Sequence, residues 1–266
     1  MKKSAAKKHE SLISPGTIWQ LGNHRLAHGD CRDPKLLKKL LGTEKIDLIS
    51  SDPPYGVAVA ESKRNFRTLA KDKDIVGDHL QSDAQYRQFS KEWLEAVQPY
   101  LAKKNSMYVF NADKMVWSLR DGMIDAGFKV AQLLIWVKQQ SVVGRLDYAP
   151  QHELIVYGWY GTHKFWHSKD KSVLFCPRPS KSKLHPTTKP LNLIRRLILN
   201  SSEIGSTVFD GFLGSGTSLL ACEQAKRKCF AVELDLEYCL TSINRWEKLT
   251  GLKAVKIHES KTTTNS

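Results

Sequence analysis

The stretch STVFDGFLGSGTSLLACEQAKRKCFAVELD, residues 206–235, constrains the fold more than any other part of the chain. Thr207 to Phe209 read as a short strand, GFLGSG as a glycine-rich loop, TSLLACEQAKR as a helix and CFAVE as a second strand. A strand, loop, helix, strand and terminal acid form a βαβ unit, whose two strands lie parallel in one sheet. The glycines let the backbone approach a ligand. Glu233, 17 residues beyond Gly216, stands where an acid accepts hydrogen bonds from ribose hydroxyls. Glycines at 211, 214 and 216 do not spell the dinucleotide fingerprint GxGxxG. Nor is this a phosphate-cradling loop, because Thr217 stands where that loop requires lysine. A nucleoside without a phosphate fits what remains.

A second strand end carries different chemistry. Ile46, Leu48 and Ile49 read as a strand that runs into SSDPPYGV, residues 50–57. Pro53 and Pro54 fix φ and remove two backbone donors, so neither strand nor helix continues through them. The turn presents the Asp52 carboxylate, free backbone carbonyls and the Tyr55 ring just beyond the carboxyl end of a strand. Open α/β sheets bind ligands there. Such a turn suits a planar group carrying an amine.

Lys and Arg number 41 against 27 acids, a formal net charge of +14, which points to a polyanionic partner and above all to nucleic acid. Five cysteines, at 31, 176, 222, 229 and 239, form no CxxC pair and no zinc spacing. They read as reduced thiols of a cytoplasmic protein, with no metal. No apolar run approaches membrane-spanning length, so no membrane association is expected.

The rest of the chain alternates helices and strands. HRLAHG (24–29) reads as a strand leading to Asp30, and PKLLKKLL (34–41) as a short helix. Ser82 and Gln85 make a capping-box pair, followed by Tyr86, Phe89, Trp93 and Val97 at helical spacing, an aromatic stripe expected in the core. SMYVFNA (106–112), FKVAQLLIWVK (128–138) and HELIVYGW (152–159) read as strands, with a helix from about Lys114 to Asp125. Pro190 begins an amphipathic helix that buries Leu191, Ile194, Leu197 and Ile198 and turns Arg195 and Arg196 outward. The polar stretch 57–81 reads as a mobile loop. The segment 160–184 is irregular and basic among aromatics, which suits a surface that meets phosphates and bases. Lys164, Lys169, Lys171, Arg178, Lys181 and Lys183 are its candidate DNA contacts. The expected organisation is a disordered basic arm (1–17), one catalytic domain (18–254) containing the 160–184 insertion, and a flexible tail (255–266).

Three stretches together resemble one family. DPPY at 52–55, HPTTKP at 185–190 and DGFLGSGT at 210–217, with Glu233 following, are similar to the amino-group DNA methyltransferases that use S-adenosylmethionine. Their order resembles the permuted β subgroup. The resemblance implies an α/β Rossmann-like methyltransferase fold, circularly permuted, with a mostly parallel seven-stranded sheet and one antiparallel strand. It also implies that Asp30 lies near the cofactor's adenine and that Glu233 holds the ribose. Asp210, Phe212, Gly214, Ser215, Gly216 and Thr217 would surround the methionine moiety, and Thr187, Lys189 and Pro190 the amino-acid end. Gly211 departs from the family's usual proline, which is expected to loosen the loop. Asp52 and the Pro53 carbonyl resemble the acceptors of the target amine, with Pro54 fixing the turn and Tyr55 stacking on a base flipped out of double-stranded DNA. Arg145, Asp147, His152 and Glu153 fall near the implied DNA side. The leading expectation is adenine-N6 methylation. Its nearest rival, a cytosine-N4 enzyme, more usually carries serine in place of Asp52. An RNA or protein amine methyltransferase and a silent DNA-binding module are the remaining rivals. Oligomeric state, homodimer included, is left open.

Overall fold

The computed structural model describes residues 14–55, 81–141, 147–167, 170–177 and 189–257. Its strands are β1 (Ile18–Leu21), β2 (His24–His28), β3 (Ile46–Ser51), β4 (Leu101–Asn111), β5 (Lys129–Val137), β6 (His152–Trp159), β7 (Val173–Phe175), β8 (Thr207–Asp210), β9 (Lys228–Glu233) and β10 (Val255–Ile257). Its helices are α1 (Pro34–Leu41), α2 (Asp83–Val97), α3 (Val116–Asp125), α4 (Leu191–Ser201), α5 (Thr217–Ala225) and α6 (Leu236–Thr250).

All ten strands join one sheet in the order β10-β1-β2-β9-β8-β3-β4-β6-β5-β7. From β2 to β4 every neighbouring pair is parallel, and β6 runs antiparallel to both β4 and β5. The expected seven strands are therefore the middle of a wider sheet. The additions are short edge strands: β1 and β10 pair antiparallel at one side, and β7 pairs parallel with β5 at the other.

Helices cover both faces, which is why the central strands are buried throughout instead of alternating with polar residues. Leu193, Leu197, Leu219, Ile243 and Trp246 of α4, α5 and α6 pack on one face with Leu48, Tyr108 and Phe110. Leu37, Leu40, Tyr86, Trp93, Leu119 and Met123 of α1, α2 and α3 pack on the other with Ile49, Met107 and Val109. The capping box forms as expected: Ser82 N donates to Gln85 Oε1 at 2.9 Å, and Gln85 N to Ser82 Oγ at 3.3 Å.

Both expected termini shift. Val255–Ile257 is a strand and not the start of a flexible tail, because β1 offers it an open edge. Gly16 N donates to His28 O at 2.8 Å, so the last residues of the expected arm are tied to β2. The remainder of the arm, of the tail and nearly all of the 57–81 loop lie outside the described residues.

Candidate active site

Four neighbouring parallel strands end on one side of the sheet, and each delivers a carboxylate there. Asp30 follows β2, Glu233 ends β9, Asp210 ends β8 and Asp52 follows β3. All four line a single cavity of about 650 Å³.

The glycine loop forms its first wall. Gly214 and Gly216 take φ of +54° and +88°, a left-handed backbone that glycine adopts without steric cost. Helix α6 clamps the loop from behind: Ser242 Oγ donates to Gly214 O at 2.8 Å, and Arg245 reaches Ser215 O. Glu233 accepts from Gly214 N at 2.6 Å and from Asp235 N at 2.8 Å. Burial outweighs these two hydrogen bonds and pushes its carboxyl up to about 7. Burial likewise raises Asp210 to about 6 against hydrogen bonds from Ser218, Phe212 N and Ser51. The loop is held at the very position where a family proline is missing. Gly211 N donates to Ser51 Oγ at 3.1 Å, a bond that proline has no hydrogen to make.

Another wall comes from the segment between β2 and α1 and from α2. Arg32 grips Asp30 through both carboxylate oxygens, reaches Glu92 at 3.0 Å and lies over the Phe89 ring. Phe89 is thus a half-buried cavity wall and not the core residue its helical spacing suggests. Phe212 packs edge-on against Trp93 and tilted against Phe89, with ring centroids 5.5 and 5.8 Å apart.

The proline turn closes the site. Tyr55 Oη donates to Asp52 Oδ1 at 2.7 Å, and Lys189 Nζ stands 2.5 Å from Asp52 Oδ2. Glu153 of β6 contacts Lys189 at 3.2 Å and Lys138, just beyond β5, at 2.8 Å. Burial alone would raise Glu153, but Lys189 and Lys138 together hold it at about 2.

The N6/N4 DNA methylase family model matches residues 46–244, three quarters of the chain. The chain belongs to the N6/N4 DNA methylase family. That family comprises S-adenosylmethionine-dependent DNA methyltransferases. The Type II methyltransferase M.HpaI of Haemophilus parainfluenzae is 28% identical over 227 residues, 75% of this chain and 68% of that protein. The fold is shared with the crystal structure of the M1.HpyAVI–SAM complex, at TM-score 0.61 and 24% identity over 83% of this chain and 98% of that one. It is also shared with the cytosine-N4-specific PvuII DNA methyltransferase, at TM-score 0.67 and 19% identity over 87% and 92%.

In this methylase the cavity gathers Asp52, Pro53, Pro54 and Tyr55 with Asp30, Lys189, Asp210, Phe212, Gly214, Ser215, Thr217 and Glu233. Pro190 and Gly216 do not line it. Pro190 caps α4, and Gly216 begins α5. Lys189 reaches the Asp52 turn, where its motif did not place it. Lys138, Ser242 and Arg245 carried no signal in the sequence, since each joins the site only through tertiary packing, whereas Arg32 stands two residues beyond Asp30 and meets it locally. For Glu153 the sequence indicates no more than a place near the DNA side.

Of the candidate DNA contacts, Lys164 and Lys171 are exposed, Lys164 lying over the Trp166 ring. Lys169, Arg178, Lys181 and Lys183 lie outside the described residues, as do Thr187 and Arg145. Within the 160–184 segment, the described residues 160–167 and 170–177 are more ordered than their composition suggests. They supply β7, and their acid Asp170 ties them to α4 through Arg196 and Asn200. Among the described residues no cluster of His, Cys, Asp or Glu could hold a metal ion, and no helix is long and apolar enough to cross a membrane.

Proposed function

We propose that this chain transfers a methyl group from S-adenosylmethionine to the N6 amine of adenine in double-stranded DNA. The observation that carries the reading is the opening of the Asp52–Pro53 turn into the same cavity as Glu233 and the glycine loop.

The cavity fits a nucleoside. Each Glu233 oxygen accepts one backbone N–H and keeps acceptor capacity for a hydroxyl. Among the described residues no cation pairs with that acid, in keeping with its raised pKa. Phe212 and Phe89 offer aromatic walls, and Asp30 lies on the neighbouring strand end. When bound, S-adenosylmethionine would supply a methyl group on a sulfonium, an electrophile that needs no metal.

The chain's own residues make the amine reactive. An exocyclic amine on a base is a poor nucleophile because its lone pair is delocalised into the ring. The Asp52 carboxylate and the Pro53 carbonyl accept its two N–H bonds, which favours a tetrahedral nitrogen with a free lone pair. Tyr55 stacks on the base. The target atom is inaccessible within a duplex, so the nucleotide is flipped out at a cost of a few kcal/mol. Exposed Lys164 and Lys171 hold phosphates outside.

Asp52, in place of serine, supports adenine over cytosine. The order of the sheet supports the permuted topology, because the glycine-loop strand β8 is central in space but late in sequence. Nucleoside digestion and mass spectrometry of DNA from cells expressing the protein test the reading. N6-methyladenine is the expected product, and N4-methylcytosine alone would overturn the choice of base.

A further inference from the structure

The HPTTKP motif implies that Lys189 serves the amino-acid end of the cofactor, yet its side chain runs to the proline turn. It is only 7% exposed, and its ammonium lies 2.5 Å from Asp52 Oδ2, 3.2 Å from Tyr55 Oη and 3.2 Å from Glu153 Oε2. Three N–H donors meet three acceptors, so no donor is left for another ligand without breaking a buried contact. Glu153 spends its second oxygen on Lys138, at 2.8 Å, and Lys138 is itself 5% exposed. The result is a row of alternating charge, Lys138, Glu153, Lys189 and Asp52, drawn from β5, β6, the segment before α4 and the turn after β3.

We propose that Lys189 and Glu153 are positioning residues for methyl transfer: Glu153 holds the Lys189 ammonium on Asp52, and Lys189 keeps the Asp52 carboxylate ionised and fixed in direction. The inference rests on Asp52 being the acceptor of the target amine. An ionised carboxylate only accepts hydrogen bonds, whereas a protonated one presents a donor to an amine that must itself donate. Burial raises Asp52 above its ordinary value even with Lys189 beside it to limit the rise, and Glu153 and Asp210 add negative charge nearby. Of the groups facing Asp52, Tyr55 is a neutral donor and Lys189 brings the opposing positive charge, with Lys138 behind it balancing Glu153. Without Glu153 the lysine loses its second carboxylate contact, 3.2 Å long, and with it one of the anchors that fix its direction onto Asp52.

Lys189→Met and Glu153→Gln in the full-length protein test this. The measurements are calorimetric affinity for S-adenosylmethionine and kcat against pH on duplex DNA with S-adenosylmethionine saturating. Both variants should bind S-adenosylmethionine within about twofold of wild type and lose about tenfold or more in kcat. The acid limb should move up in pH in Lys189→Met and down in Glu153→Gln, because the two changes remove opposite charges from beside Asp52. A merely structural role would not split the limb in opposite directions. Loss of cofactor affinity in Lys189→Met with an unmoved acid limb returns the lysine to the cofactor and overturns the proposal. An unmoved limb in Glu153→Gln removes Glu153 from it. If Lys189→Met does not fold, the isosteric Glu153→Gln decides through the direction of its shift. A wild-type protein that binds S-adenosylmethionine but methylates no DNA brings down the assigned function instead, and the affinity of Lys189→Met still decides which ligand the lysine serves.

Discussion

Replacing Gly216 by alanine should destabilise the protein through two separable effects. Gly216 has φ of +88°, and an L residue held in the left-handed region costs about 1–2 kcal/mol. The added Cβ would also stand 2.7 Å from Ser242 Oγ, 2.9 Å from Ser242 Cβ and 3.1 Å from Ser242 Cα. The hydroxyl can rotate away, but the other two atoms move only if α6 moves. Overpacking of this kind costs about 1–3 kcal/mol. Lower entropy of the unfolded chain returns about 0.4–1 kcal/mol. The net loss is roughly 2–4 kcal/mol, or a fall in Tm of about 5–15 °C for a domain of this size. Urea denaturation of Gly216→Ala, Ser242→Gly and the double variant would separate the effects. Ser242→Gly removes the Cβ contact, so the pair should couple by about 1–3 kcal/mol while the backbone strain persists. Additive losses in the double variant would refute the contact with α6, and an alanine variant as stable as wild type would refute both effects.

Three further outcomes follow from the site. Asp52→Ala should lower kcat by on the order of 10² or more with cofactor affinity retained, whereas Glu233→Gln should raise cofactor KM with a smaller effect on kcat; single-turnover transfer and calorimetry read the two, and identical defects would contradict separate roles. Glu233 is raised from an ordinary 4.5 to about 7 in the fold, so its contribution to stability is complete below pH 4.5 and is lost as pH rises through about 7. Glu233→Gln should flatten that part of the stability profile, and an unchanged profile would count against the raised carboxyl. DNA affinity should fall steeply with salt, and neutralising Lys164 or Lys171 should reduce the log–log slope by about one if the residue touches a phosphate; unchanged slopes for both would move the DNA surface elsewhere.

Local chemistry was legible where one residue's neighbours in sequence decide its structure. Pro34 at the start of α1, the Ser82–Gln85 capping box, the glycine loop and the proline turn all declare themselves within a few residues. Strands β1, β7 and β10 did not, because each has only three or four residues and exists through the edge it pairs with. Buried charge was the harder case. Lys138 ends an apolar strand run and Glu153 starts another, and either reads as a solvated strand end. Burial became affordable only when Lys138, Glu153, Lys189 and Asp52 met, and no periodicity records a meeting of elements so far apart in the chain. Phe89 failed in the opposite sense. Its spacing is that of the core, but it sits mid-helix on the side of α2 that also brings Gln85, Gln88 and Glu92 to the cavity, where the core gives way to a ligand-sized space.

The same arrangement reconciles an acidic site with a basic protein. The chain carries a formal net charge of +14, yet four carboxylates converge where β2, β9, β8 and β3 end. Adjacent strands are about 4.8 Å apart, so this sheet edge packs four acids within about 15 Å. Two of them have their own cations, Asp30 with Arg32 and Asp52 with Lys189. Asp210 and Glu233 have none among the described residues, and burial raises both. A phosphate brought to this edge would meet acids without a cation, whereas a cation or a neutral hydrogen-bond donor would find acceptors. The interior therefore disfavours the DNA backbone that the basic surface attracts. A neutral base can enter where its phosphates cannot, and separating the two is what base flipping requires.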